Sequence, residues 1–138
     1  MSIQVYKTKY WEVNLADNQY YLGRSYITLI RKCPALSQLK KQEILDLLEV
    51  IKTLESSFKK SFNATMFNWS CLMNDAYKSE DPDSQVHFHF RPRYKNIVKF
   101  AGLIFKDEDF AHHYNDDREL IVSKDIQKQI IKKIQENL

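Results

Sequence analysis

With 138 residues, 43% of them hydrophobic and 13% aromatic, the chain is long enough to fill one core and too short for two, so a single domain over 1–138 is expected. Its 21 basic and 18 acidic side chains leave a net charge of +3, too mild to argue for a nucleic-acid polymer as partner, yet compatible with small anions. The isolated Cys33 and Cys71 exclude a disulfide framework and a zinc knuckle, no apolar run is long enough to span a bilayer, and the polar start Met1-Ser2-Ile3-Gln4 is no signal peptide, so a cytoplasmic protein without a membrane partner is expected.

Short strands come first: Ile3 to Lys7, Tyr10 to Leu15, and Arg24 to Arg31, in which Tyr26, Thr28 and Ile30 alternate with Ile27 and Leu29. Asp17-Asn18 and Gly23 punctuate them. Ser37 is placed to cap a long helix to about Phe62, with Ile44, Leu47, Leu48, Ile51, Leu54 and Phe58 at helical spacing. Lys40, Lys41, Lys52, Lys59 and Lys60 read as its solvated side. From Thr65 to Met73 a strand follows, with Phe67, Trp69, Cys71 and Met73 on one face and Asn68, Ser70, Leu72 and Asn74 on the other. Phe67 and Trp69 read as core and not as a base-stacking platform. The polar loop from Asp75 to Ser84 then connects to a strand over Gln85 to Arg93, and the two strands are expected to pair antiparallel. The chain is irregular through Lys95 to Asp117, with a short strand near Leu120 to Val122. Ser123 caps a terminal helix whose Ile126, Ile130, Ile131 and Ile134 form one stripe. The expected class is α+β, with an antiparallel sheet of about five strands, one long helix and one C-terminal helix.

The strand Gln85-Val86-His87-Phe88-His89-Phe90-Arg91-Pro92-Arg93 is the most informative stretch. Successive side chains point to opposite faces, so Val86, Phe88 and Phe90 enter a core while Gln85, His87, His89, Arg91 and Arg93 line up on the other side. Neutral imidazole is a nucleophile, and guanidinium neutralises phosphoryl oxygens bidentately, so such a row is suited to holding a phosphate and attacking it. Arg91 and Arg93 are equally suited to pairing with carboxylates. A metal site on His87 and His89 needs a third ligand, for which His112 or His113 is available, although both read as surface residues. Single-stranded RNA binding through His87, Phe88, Phe90, Arg91 and Tyr94 is undercut by the alternation, which turns Phe88 and Phe90 away from Arg91.

This strand resembles the histidine triad signature, in which three histidines alternate with apolar residues and a Pro-Arg often follows. Tyr21-Leu22-Gly23-Arg24-Ser25-Tyr26-Ile27 looks like that family's glycine-centred approach to a central strand, and Phe67-Asn68-Trp69 looks like its bacterial members. Recognisable pattern runs from Asp17 to Arg93, and more loosely through Phe100-Ala101-Gly102 to His113-Tyr114. The resemblance implies an enzyme that cleaves a phosphoanhydride or phosphoramidate bond at the α-phosphorus of a nucleotide, adenosine-containing by expectation, through a nucleotidyl-histidine. It makes His87 the nucleophile, His89 a second catalytic residue and Gln85 the stand-in for the first histidine. It gives phosphate contacts to Asn74, Ser84 and Arg91, and nucleoside contacts to Asp17, Asn18 and Asn68. It implies a homodimer, and neither cofactor nor metal.

The chain departs from that pattern in two places. Glu80-Asp81-Pro82-Asp83 brings carboxylates and a proline without an N–H where donors to phosphate are common. Gln85 can hydrogen-bond but cannot relay a proton near neutrality, a loss on the order of 10²-fold in rate if the first histidine belongs to the proton network. The alternative is therefore a nucleotide-binding module that keeps the fold with turnover weakened or lost.

Overall fold

Each of the five main strands carries apolar residues at alternate positions, and together they make one antiparallel sheet that is apolar on one face and polar on the other. In the computed structural model, which describes residues 2–138, these are β1 (Ile3–Lys7), β2 (Trp11–Leu15), β3 (Ser25–Leu29), β4 (Met66–Ser70) and β5 (His87–Arg93), in the spatial order β1-β2-β3-β5-β4. The expected pairing of the strands on either side of the polar loop is present, with Met66 opposite Arg93 and Ser70 opposite His89.

Two helices cover the apolar face: α1 (Lys41–Phe62) and α2 (Lys124–Gln135). Trp11, Val13, Leu15, Ile27, Leu29, Val86 and Phe90 meet Leu47, Val50, Leu54 and Phe58 of α1 and Ile130, Ile131 and Ile134 of α2 in one buried cluster. Phe90 is its centre, stacked on Phe67 at 5.5 Å, close to Trp69 at 4.5 Å and edge-on to Phe58 at 5.2 Å. Burying a ring of that size contributes about 1.5–3 kcal/mol. Phe67 and Trp69 thus pack on the core, as their alternation indicated. Gly23, with φ of +92°, lies under Phe58, and a Cβ there would stand 2.0 Å from that ring. Its glycine is required by the backbone and by space alike.

Four expectations need correction. The long helix starts at Lys41 rather than beyond a Ser37 cap, because Leu36–Gln38 forms a separate 3-10 turn and the Lys40 N–H is capped by the Glu43 carboxylate at 2.8 Å. The buried residues of α1 are Glu43, Leu47, Val50, Leu54, Ser57, Phe58 and Phe62, whereas Ile44 and Leu48 are exposed. The region expected to be irregular holds a hairpin, β6 (Val98–Phe100) with β7 (Leu103–Phe105), turned by Ala101 and Gly102, both at positive φ. Beyond it, Leu120 to Val122 forms only a single bridge, Ile121 to Asn18. Ser123 caps α2 as expected, accepting from the Ile126 N–H at 3.3 Å.

The segment after β7 folds back over the polar face of the sheet. Its anchor is Arg93, which is 0% exposed and donates through Nε and Nη2 to Asp107, through Nη1 to Asn68 and the His112 carbonyl, and through Nη2 to the Asp109 carbonyl, at 2.7–3.1 Å. The guanidinium also lies over the Tyr21 ring at 4.9 Å. The row expected to face outward from Gln85 to Arg93 is therefore covered at its far end, with Arg91 and Arg93 both buried. Among the described residues no helix is long and apolar enough to cross a membrane.

Candidate active site

β5 sets the site. Its register places Thr28 and Tyr26 of β3 opposite His87 and His89, with Ser70 of β4 on the other flank of His89. Alternation turns both histidines to the face away from the helices, short of the cover held by Arg93. The two imidazoles stand 4.9 Å apart, edge to face.

The His87 ring is fixed through Nδ1, which lies 2.8 Å from the Gln85 carbonyl oxygen. A carbonyl only accepts, so Nδ1 carries a proton, and in the neutral tautomer that this bond selects Nε2 is the nitrogen with the lone pair. His87 borders a hollow of about 180 Å³ together with Met73, Ala76, Asp83 and Ser84.

His89 borders a second hollow, of about 230 Å³, with Arg24, Asn74, Arg91 and Asp116. Burial pushes this half-buried imidazole down to about 4, helped by the neighbouring His87, Arg91 and Arg24 and opposed by Asp116. It is a neutral ring at physiological pH. Arg91, 4% exposed, gives Nη2 to Asp116 at 3.0 Å and lies 3.8 Å from the centre of the Tyr114 ring. Burial and Arg24 lower its pKa, against the pull of Tyr114 and Asp116. Arg24 donates through Nη2 to the Tyr26 hydroxyl at 3.3 Å. Among the described residues, the buried Arg24 Nε, His89 Nδ1 and Arg91 Nη1 meet no hydrogen-bond partner.

The other expected site residues separate into those beside the histidines and those holding the scaffold. Asn74, exposed just before the 3-10 turn Asp75–Lys78, is beside them. The Gln85 amide points into the turn after β3: Oε1 accepts from the Cys33 N–H at 2.8 Å, and Nε2 donates to the Leu29 and Arg31 carbonyls at 2.7 and 2.8 Å. The Ser84 hydroxyl donates to the Pro34 carbonyl at 2.8 Å, so its proton serves the same turn. Asn68 accepts from Arg93. Asn18 donates to the Arg118 carbonyl and accepts from the Leu120 N–H, and the Asp17 carbonyl accepts from the Val122 N–H. Asp17 and Asn18 tie the 118–122 segment to the end of β2 and line neither hollow. The loop carboxylates have cations nearby: Asp83 pairs with Lys32, and Asp75 with Lys78 at 3.1 Å.

His112 and His113 are exposed, and among the described residues no group of three His, Cys, Asp or Glu side chains is placed to hold a metal ion. Arg24 is the residue that motif reading passed over. Its signal was the alternation Arg24, Tyr26, Thr28, which meets the histidine row once β3 and β5 are neighbours.

No protein-family model and no curated protein matches the chain. Solved structures match it through their fold. A histidine triad protein from Sinorhizobium meliloti is similar at 14% identity and a TM-score of 0.75, covering 99% of this chain and 90% of that one. A Hit-like protein involved in cell-cycle regulation from Bartonella henselae is similar at 16% identity and 0.68, covering 100% and 88%. A diadenosine triphosphate hydrolase from Plasmodium falciparum is similar at 22% identity and 0.55, covering 70% and 65%. The chain has the histidine triad fold, an α+β arrangement of a five-stranded antiparallel sheet and two helices.

Proposed function

We infer that this protein is a nucleotide hydrolase or nucleotidyl transferase that works through a nucleotidyl-histidine on His87. The observation that carries the reading is the bond from His87 Nδ1 to the Gln85 carbonyl, which in the neutral ring makes Nε2 the nitrogen with the lone pair on the polar face of the sheet, beside the imidazole of His89.

In the first step the Nε2 lone pair forms a bond to the α-phosphorus, and the bond to the leaving group breaks with its electron pair on the departing atom. In the second, water attacks the same phosphorus, the N–P bond returns its pair to Nε2, and the proton of water passes to solvent as nucleoside monophosphate is released. His89, Asn74 and Arg91, which line one hollow, hold the non-bridging oxygens while charge shifts. Ser84 and Gln85 act through the main chain, by holding the turn that positions the Gln85 carbonyl. The reading requires no metal or cofactor, since imidazole supplies the nucleophile and guanidinium the charge. An adenosine-containing nucleotide is the proposed substrate, in line with the hydrolase that shares the fold, and a cytoplasmic homodimer the proposed form.

A second reading, a nucleotide-binding module with little turnover, is favoured by one observation: the amide in the first histidine's place is engaged with main chain and carries no proton to give. Incubation with a panel of adenosine phosphoanhydrides and phosphoramidates separates the two. AMP release that His87→Ala lowers by about 10³-fold or more is the expected result. Tight AMP binding without release by the wild type selects the binding module.

A further inference from the structure

The charges of this chain are segregated by face. Residues 95–106, which hold the β6–β7 hairpin, carry Lys95, Lys99 and Lys106 and no acid, and α2 adds Lys124, Lys128, Lys132 and Lys133. Lys124, Lys128 and Lys132 recur at every fourth residue on the exposed side of α2, about 6 Å apart along its axis. Lysines elsewhere meet carboxylates, as Lys52 meets Glu49 and Lys78 meets Asp75, whereas among the described residues none of the lysines of this face is in an ion pair. The acids nearest them are Asp125, which accepts from the Gln129 amide at 3.0 Å, and Glu136 at the end of the helix. Hairpin and helix form one surface. Val98, Phe100 and Leu103 pack on the core, so Ile97, Lys99, Ile104 and Lys106 point outward and are exposed, with Lys99 opposite Ile104. A groove of about 270 Å³ joins the two elements, lined by Phe100, Gln129, Lys132, Lys133 and Glu136.

We propose that this face docks the protein on the surface of an anionic lipid bilayer, with the lysine heads at the lipid phosphates and Ile97 and Ile104 entering the boundary between headgroups and acyl chains. Free cations interleaved with exposed aliphatic side chains complement a surface that is anionic outside and apolar just beneath. A single-stranded nucleic acid fits it less well, because the ring at the groove, Phe100, is packed edge-on to Phe62 at 5.1 Å and neither segment holds an arginine. Peripheral docking needs no spanning segment, the feature on which the expectation of no membrane partner rested. The proposal is independent of the reading of His87, since α2 covers the apolar face of the sheet and the histidines stand on the other.

The test is sedimentation of the whole chain with vesicles of phosphatidylcholine alone and of phosphatidylcholine with about a third phosphatidylglycerol, at low and at physiological salt. The wild type is expected to partition onto the anionic vesicles about tenfold or more above the neutral ones, and less as salt rises. A variant combining Lys99→Gln, Lys128→Gln and Lys132→Gln is expected to lower that partition about 100-fold, at about fivefold for each lysine. A control combining Lys9→Gln, Lys41→Gln and Lys52→Gln has the same net charge but is altered elsewhere on the surface, and it is expected to lower the partition no more than about threefold. Ile104→Ser is expected to lower it about fivefold at either salt concentration. All seven positions are exposed, and circular dichroism matched to the wild type establishes that the variants are folded. Equal partition onto the two vesicle types, an equal loss in both triple variants, or full binding by the Lys99, Lys128 and Lys132 variant or by Ile104→Ser overturns the proposal. So does salt-sensitive retention of polyuridylate by this face without vesicle binding, which assigns the face to nucleic acid.

Discussion

Replacing Gln85 probes the link between scaffold and nucleophile. Its amide makes three hydrogen bonds of 2.7–2.8 Å to the turn after β3, and that turn is also stitched to the start of β5 by the Val86 N–H on the Cys33 carbonyl and the Ser84 hydroxyl on the Pro34 carbonyl. Gln85→Ala removes all three amide bonds and leaves their main-chain partners to find others. At roughly 0.5–1.5 kcal/mol net for each neutral bond, the loss is about 1.5–4.5 kcal/mol. Gln85→Glu is expected to cost at least as much, because a carboxylate only accepts and would face two carbonyl oxygens. Urea unfolding with a common slope measures the stability change. Since the Gln85 carbonyl orients His87, the alanine variant should also lower kcat more than it raises KM. An alanine variant within about 0.5 kcal/mol of wild type, or a glutamate variant as stable as wild type, would refute the assignment of the amide to the turn.

Two further outcomes follow from the buried charges. Arg93→Met should destabilise by about 3–5 kcal/mol, because it leaves Asp107, 1% exposed, without its ion pair, and combining it with Asp107→Leu should recover part of that loss; denaturant midpoints check both. For His89, whose imidazole is held at about 4 in the folded chain against 6.5 for the free side chain, the unfolded state binds the extra proton first, so the stability present above pH ~6.5 drains away as pH falls toward 4. The full shift corresponds to about 3 kcal/mol, and solvent screening of a half-buried ring reduces this to about 1–2 kcal/mol. His89→Gln should remove that part of the slope between pH 7 and 4.5, and an unchanged slope would contradict the burial argument.

What the sequence made legible is what short-range pattern controls. The period-two runs from Ile3, Trp11, Ser25 and His87 mark strands because one face of the sheet is buried, and Ser123 with its isoleucines marks α2 because cap and stripe agree. The start of α1 was misplaced because Ser37 is a good cap by type, while the actual cap depends on Glu43 reaching back to Lys40. The β6–β7 hairpin was missed because Ala101 occupies a left-handed position that sequence rules reserve for glycine or asparagine. At the site, His87 and His89 lie on one strand and could be placed from alternation, whereas Asn74 lies in the irregular segment beyond β4, which ends at Ser70 and not at Met73. The burial of Arg91 and Arg93 could not, since it is imposed by Asp107, His112, Tyr114 and Asp116 from a segment without periodicity. Arg24 joins them only through the neighbouring of β3 and β5, which no local pattern encodes.

The central claim is the covalent role of His87, and rapid quenching of the protein with a radiolabelled adenosine phosphoanhydride tests it most directly. The account predicts an acid-labile, base-stable adenylyl adduct that maps to the peptide containing His87 and is absent from His87→Ala. An adduct that persists in His87→Ala, or that maps to His89, would contradict it.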